Sequence, residues 1–261
     1  MSSRGHEVYH VGYWTTLKYG EAILTVFGVV FARGGSKGLP GKNLMRIDGV
    51  PLVGLSVITG CAVPEIDRMY CSSDSEEILA AARNYGAATP FIRPKALASD
   101  VSPELLSWKH FAKYLISAGN HKDDVIVSLP PTAPLRSVID IQKVIESLAT
   151  GPADMVVTYA QASHNPWFTI VTVGSQGDIS IVNTAQTSAI SRRQDAPLVY
   201  NITPVAYAST LKYVIETESL FGGTIRGVEV PSERAIDIDT ELDFRIAEFL
   251  FTHKANGPSG R

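Results

Sequence analysis

Cysteine is nearly absent: Cys61 and Cys71 are the two in 261 residues. That excludes a disulfide framework and points to a reducing, cytoplasmic compartment, with both thiols expected as small buried hydrophobes. Charge of one sign is not in excess either. The 23 basic and 26 acidic side chains leave a net charge of −3, without the basic surplus that marks a nucleic-acid partner. No long apolar run exists. The longest, Ala22 to Ala32, has 11 residues, against the roughly 20 that a spanning helix needs, so no membrane partner is expected. It starts too late for a signal peptide and ends at Arg33 rather than at a small-residue cleavage site. Disorder is excluded as well, because 45% of the chain is hydrophobic and 19% charged.

What is present is alternation. Residues 1–21 show no apolar periodicity and read as an N-terminal extension, followed by one domain over 22–261. Ala22–Ala32 reads as a buried parallel strand, as do Arg68–Ser72 and Asp124–Leu129. Between and after them come helix patterns. Ser75–Tyr85 carries Ile78, Leu79 and Ala82 on one face with Gly86 as its stop, and Ser137–Leu148 opens on a Ser137/Asp140 capping pair. Trp108 lies on an amphipathic stretch and is expected in the core. Thr240–Phe251 has Leu242, Ile246, Phe249 and Leu250 at helical spacing. This rhythm predicts an α/β fold with a mostly parallel sheet flanked by helices. It breaks between about 154 and 208, where Met155–Tyr159, Phe168–Val173, Ile179–Val182 and Tyr200–Ala208 all read as extended, which predicts an antiparallel insertion.

The first strand runs into Ala32-Arg33-Gly34-Gly35-Ser36-Lys37-Gly38-Leu39-Pro40-Gly41-Lys42-Asn43. Four cations (Arg33, Lys37, Lys42, Arg46) and no acid fall between Arg33 and Ile47. Glycines let backbone amides converge on an anion, and in open α/β sheets ligands sit beyond the strands' carboxyl ends. The loop therefore reads as a polyphosphate cradle. It is not a P-loop: five residues separate Gly35 from Gly41, and Asn43 replaces the metal-binding hydroxyl. A nucleophile elbow does match at Gly34–Gly38, so a serine hydrolase using Ser36, with His164 or His253 completing a triad, competes. Pro40 and Gly41 interrupt the helix that such an elbow requires.

Near the other end, Ala235-Ile236-Asp237-Ile238-Asp239 reads as a strand end. Residues two apart share a face, so Asp237 and Asp239 project together while Ile238 points inward. Thr240 and Asp243 are accounted for as a capping pair for the helix that follows. The two free carboxylates suit magnesium, a hard cation that binds one or two carboxylates together with substrate phosphates. A cationic loop and an acidic pair are together what nucleotidyl transfer requires.

These motifs, with Ser72–Ser75, Leu97–Asp100, Arg192–Pro197 and Asp237–Asp243 in matching order, resemble those of the acylneuraminate cytidylyltransferases (CMP-sialic acid synthetases). The likeness runs from about Val26 to Leu250. It implies a Rossmann-like nucleotidyltransferase fold with a dimerisation insertion at about 160–200, and a homodimer. It implies attack of a nonulosonic acid's anomeric hydroxyl on the α-phosphorus of CTP, releasing pyrophosphate. Arg33, Gly35, Ser36, Lys37 and Lys42 would hold the triphosphate, with Asn43 and Arg93 near the cytidine. Asp237 and Asp239 would carry Mg2+, and Thr132, Arg193, Gln194 and Asn201 would face the sugar. Arg33, Lys37, Lys42 and Asp239 are the implied catalytic set. Pro130, Ala133 and Ile202 depart from the family pattern on the sugar side, so legionaminate, pseudaminate and deaminated neuraminate stay open as acceptors. A non-catalytic nucleotide- or sugar-binding relative is the remaining alternative.

Overall fold

A computed structural model describes residues 17–19, 22–35, 38–99, 102–183 and 195–254. In chain order the strands are β1 (Leu17–Tyr19), β2 (Ala22–Leu24), β3 (Val26–Phe31), β4 (Arg46–Ile47), β5 (Val50–Pro51), β6 (Arg68–Ser72), β7 (Val125–Ser128), β8 (Met155–Gln161), β9 (Val171–Val173), β10 (Ile179–Ile181), β11 (Tyr200–Thr210) and β12 (Ile225–Glu229). The helices are α1 (Leu52–Cys61), α2 (Glu76–Arg83), α3 (Glu104–Ser117), α4 (Val138–Thr150), α5 (Leu211–Glu216) and α6 (Glu241–Lys254). Among the described residues no helix is long and apolar enough to cross a membrane.

Six strands form the central sheet in the order β12-β8-β11-β7-β3-β6. β3 is parallel to β6 and β7, and β12 to β8, while β11 runs antiparallel to both of its neighbours. Strand alternation splits the core into two layers. Val26 and Val30 pack with α1, α2 and α4 on one face, and Phe27 and Val29 pack with α3 and α5 on the other. Trp108 is fully buried in the second layer. The expected mostly parallel sheet with helices on both faces is what the chain forms. The hairpin β9–β10 is a separate two-stranded sheet inside the region read as an insertion.

Several expectations are corrected. Ala22–Ala32 is not one strand. The chain breaks at Thr25, whose N–H donates to Asp124 Oδ1 at 3.0 Å, while Val26 N–H donates to Asp67 Oδ2 at 2.7 Å. β2 instead turns back on β1, so strand structure already begins inside the presumed extension. Cys71 is buried, and burial pushes its thiol up to about 12, but Cys61 at the end of α1 is exposed. On α6 the expected apolar face does not face the core: Leu242, Ile246 and Phe249 are exposed, and Phe244 and Ala247 are buried instead. Ile238 is anchored in the small core that these two residues join, and it fixes how the helix enters. The segment 235–239 itself belongs to no strand; its backbone is tied to the neighbouring wall by a bond from Ile238 N–H to the Thr132 carbonyl at 2.9 Å.

Asp140 at the start of α4 does two jobs. It accepts from Ser137 N–H at 2.9 Å, closing the expected capping box, and it takes a two-pronged bond from Arg234 at 2.8 Å for each arm. This pins the segment that leads to Asp237. Burial alone would raise the Asp140 pKa, but the Arg234 and Ser137 bonds outweigh it and hold the carboxyl below its ordinary value. Its stabilising effect is therefore complete above the ordinary carboxylate range near pH 4 and fades as the pH falls through the lowered value. Asp140→Asn is expected to cost about 1.5–3 kcal/mol at neutral pH, the worth of hydrogen bonds to a charged group. In urea unfolding the two proteins should converge as the solution is acidified; curves that stay parallel would refute the assignment.

Candidate active site

The carboxyl ends of β3 and β7 open onto one cavity of about 440 Å³. Its walls come from five stretches: the glycine loop (Arg33, Lys42, Asn43), Arg93 with the 97–107 segment, Pro130–Thr132 after β7, Pro204 and Tyr207 on β11, and the pair Asp237 and Asp239. The cationic loop and the acidic pair thus share one crevice, as the sequence predicts.

They also touch. Lys42 Nζ donates to Asp239 Oδ1 and to the Ile238 carbonyl, each at 2.8 Å. The Lys42 side chain is only 14% exposed whereas that of Asp239 is 70% exposed, so the carboxylate remains open to a ligand. Two glycines make this approach possible. Gly41 sits at φ 70°, where an L side chain is strained, and turns the chain into the short helical turn Lys42–Leu44. Gly38 lies so close to the acidic segment that a Cβ there would stand 2.7 Å from the Asp239 carbonyl oxygen. Asn43, buried, donates from Nδ2 to the Arg33 carbonyl at 2.9 Å and braces the loop against the end of β3. Gly34 N–H donates to Asp74 Oδ1 at 2.9 Å. Gly35 is exposed and does not line the cavity.

Arg93 is buried, and its Nη2 donates to the Ala32 carbonyl at 3.2 Å. Its Nε makes no hydrogen bond, and neither does Ser102 Oγ, another buried lining atom. Unmet buried donors are costly, so these two mark a place where a bound polar group fits. Burial lowers the Arg93 pKa, partly offset by Asp74. Asp237 is shifted the other way. Desolvation of its carboxyl raises its pKa and the neighbouring Asp239 adds to the rise, against a bond with Thr132. Two repelling hard-oxygen donors on a cavity wall fit a divalent cation. Among the described residues no cluster of three or more His, Cys, Asp or Glu forms a metal cage, so such an ion would draw its further ligands from substrate or water.

Of the sugar-side expectations, Thr132 lines the cavity, while Asn201 is exposed on β11 and does not. Ser36, Lys37, Arg193 and Gln194 lie outside the described residues. Pro130 lines the cavity, Ala133 is buried and Ile202 is exposed. Sequence reasoning missed Glu104, Pro204 and Tyr207. Glu104 accepts from Trp108 Nε1 at 3.0 Å, an i,i+4 pairing visible in the sequence. The serine-hydrolase reading loses its support. The glycine loop leads to a short turn and a hairpin before α1, and neither His164 nor His253 lines the cavity.

The family model described as cytidylyltransferase matches residues 27–208. The chain belongs to the cytidylyltransferase family, and so to the nucleotidyltransferases. It is 30% identical over 225 residues to the post-translational flagellin modification protein B of Campylobacter coli, across 86% of this chain and 94% of that one. It is 32% identical over 231 residues to the CMP-N,N'-diacetyllegionaminic acid synthase of Campylobacter jejuni, across 88% and 96%. A solved CMP:2-keto-3-deoxy-manno-octonic acid synthetase complexed with CTP shares the fold, with a TM-score of 0.65 at 16% identity over 88% of this chain and 99% of that one. The resemblance read from the loop and the acidic pair is borne out at the level of family and fold.

In this cytidylyltransferase fold the contact at Gly38 is testable by stability alone. Gly38→Ala is expected to cost about 1–3 kcal/mol by overpacking against the Asp239 carbonyl, although the residue is exposed. Gly35→Ala, whose added carbon meets nothing within 4 Å, should stay within about 0.5 kcal/mol. Equal effects in denaturant unfolding would show that the close approach is unimportant.

Proposed function

We propose that the protein transfers CMP from CTP to the anomeric hydroxyl of a nonulosonic acid, with magnesium, releasing pyrophosphate. The observation that carries this reading is the Lys42–Asp239 contact, which joins an anion-binding loop to a metal-suited carboxylate pair inside one cavity. The named functions of similar proteins, legionaminic and pseudaminic acid activation among them, support the acceptor class.

In this reading Arg33, Ser36, Lys37 and Lys42 hold the triphosphate, and the positive charge of Arg33, Lys37 and Lys42 favours the charge that builds on the phosphate oxygens during transfer. Asn43 keeps the loop in place through the Arg33 carbonyl, and the unmet donor of Arg93 faces the nucleoside. Asp237 and Asp239 are the residues that would hold magnesium, which, when bound, neutralises phosphate charge and polarises the α-phosphorus. Thr132 lies on the acceptor side, with Arg193 and Gln194 proposed there also. The anomeric oxygen forms the new bond to the α-phosphorus and gives up its proton to solvent. The bond to the bridging oxygen breaks, and pyrophosphate departs.

Incubation with CTP, magnesium and a panel of nonulosonic acids should release pyrophosphate with at least one of them. Asp239→Asn and Lys37→Ala should each lower turnover roughly 10²–10³-fold, as expected for loss of one preorganised electrostatic contact. Silence of the folded wild-type protein across the panel would overturn the reaction. A CTP-induced thermal shift without turnover would instead favour a binding relative.

We also propose a homodimer formed through residues 160–200. The hairpin β9–β10 stands apart from the main sheet, with Val173 69% and Ile179 67% exposed. Apolar ribbons of this kind are unusual on a free surface. Light scattering should give twice the chain mass for the wild type, and Val173→Asp combined with Ile179→Asp should yield a folded monomer. A wild type that elutes as a monomer at micromolar concentration would refute the dimer.

A further inference from the structure

Proline has no N–H to give a sheet and is ordinarily kept out of central strands. Pro204 nevertheless sits inside β11, which pairs with β7 and β8 on its two sides. The strand accommodates it with a bulge. Thr203 pairs with Thr158 and Tyr207 with Val157, so residues 204–206 have no partner on β8. The pairing with β7 begins only at Tyr207.

Two side chains serve the stranded backbone. The Thr158 hydroxyl lies 2.9 Å from the Thr203 carbonyl and 3.2 Å from that of Ala206, and it accepts from Ala206 N–H at 3.2 Å. Arg136 takes the two carbonyls between. Its Nε donates to Val205 O at 2.8 Å and its Nη2 to Pro204 O at 3.1 Å. The same guanidinium donates from Nη2 to the Pro130 carbonyl and from Nη1 to Ser56 Oγ on α1 at 2.6 Å. Every acceptor is neutral. Burial lowers the Arg136 pKa to about 9, which leaves it charged at neutral pH. A buried cation with no carboxylate in hydrogen-bond contact among the described residues is costly, even with Asp140 supporting its charge from farther off, and what it supplies in return is a planar fork of fixed donors that lysine cannot copy.

The fork's position is specific. Pro130 and Pro204 both line the cavity, and Tyr207 follows directly after the bulge. Neither proline can be tied into a ladder through its own N–H, and the β7–β11 pairing stops at Ser128 and Tyr207, so beyond that point Arg136 is a side chain that bonds both walls directly. The walls are uncharged, unlike the cationic part formed by Arg33, Lys42 and Arg93. We propose that Arg136 is a positioning residue for the acceptor substrate, holding Pro130 and the Pro204 bulge at the separation that admits the acidic sugar. This rests on the reaction proposed above. Bulges beside active sites commonly re-aim side chains, and Tyr207 is the one re-aimed here.

Arg136→Lys keeps the charge and loses the fork, and Thr158→Val loosens the bulge from its other side. In each variant the acceptor KM should rise by about tenfold while the KM for CTP stays within about twofold, a split that general destabilisation does not produce. Hydrogen exchange should quicken in peptides covering 130–136 and 203–208 and stay unchanged over 68–83. The idea is overturned if Arg136→Lys leaves both acceptor KM and exchange unchanged, or if both KM values worsen together with a falling melting temperature. Should the wild type turn over no acceptor, the reaction is refuted. The exchange comparison, which needs no substrate, then decides the role of Arg136 by itself.

Discussion

The site depends on a hydrophobic anchor placed between two charges. Ile238 is fully buried with Ile47, Leu52, Leu55, Phe244 and Ala247, and Leu39 and Met45 from the glycine loop's far side pack on the same cluster. With that side chain fixed in the core, the carboxylates on either side of it have no choice but to face the cavity. Its carbonyl then serves as one of the two acceptors for Lys42. A small apolar cluster thus sets the distance between opposite charges that surface electrostatics alone would hold only weakly.

Around that anchor the cavity is organised by sign. Cations come from the end of β3 and from Arg93, and the acids come from the 237–239 segment, where mutual repulsion and desolvation already disfavour ionisation of Asp237. Lys42, bonded to Asp239, partly offsets this. Backbone supports surround it: Asn43, itself in the cavity wall, on the Arg33 carbonyl, Asp74 on Gly34, and Asp140 on Arg234. None of these three supports acts by touching a reacting atom; each holds a stretch of backbone in register.

Much of this was legible from residue order because it obeys local rules. Helical spacing marked α2 and α4, and the Ser137/Asp140 box appeared where it was expected. Two-residue alternation alone put Asp237 and Asp239 on one side of Ile238. What escaped depends on tertiary context. Pro204 is the bulge's one local sign, but what satisfies the bulge is distant: Thr158 and Arg136, the latter 68 positions away. β12 is an edge strand with an arginine, a glycine and a glutamate among its five residues, too mixed to show a period. The apolar stripe of α6 misled because the helix is oriented by Ile238 and not by its own strongest face. Asn43 gave a second such case: a residue expected at the nucleoside is also a brace for the loop.

The bond between Lys42 and Asp239 spans 197 positions. Closing so long a loop is entropically disfavoured until the layers between have assembled. During synthesis the cavity lacks its acidic wall until residues through Asp239 have left the ribosome. A chain that stops short of this segment therefore has the cationic side of the crevice without its acidic counterpart.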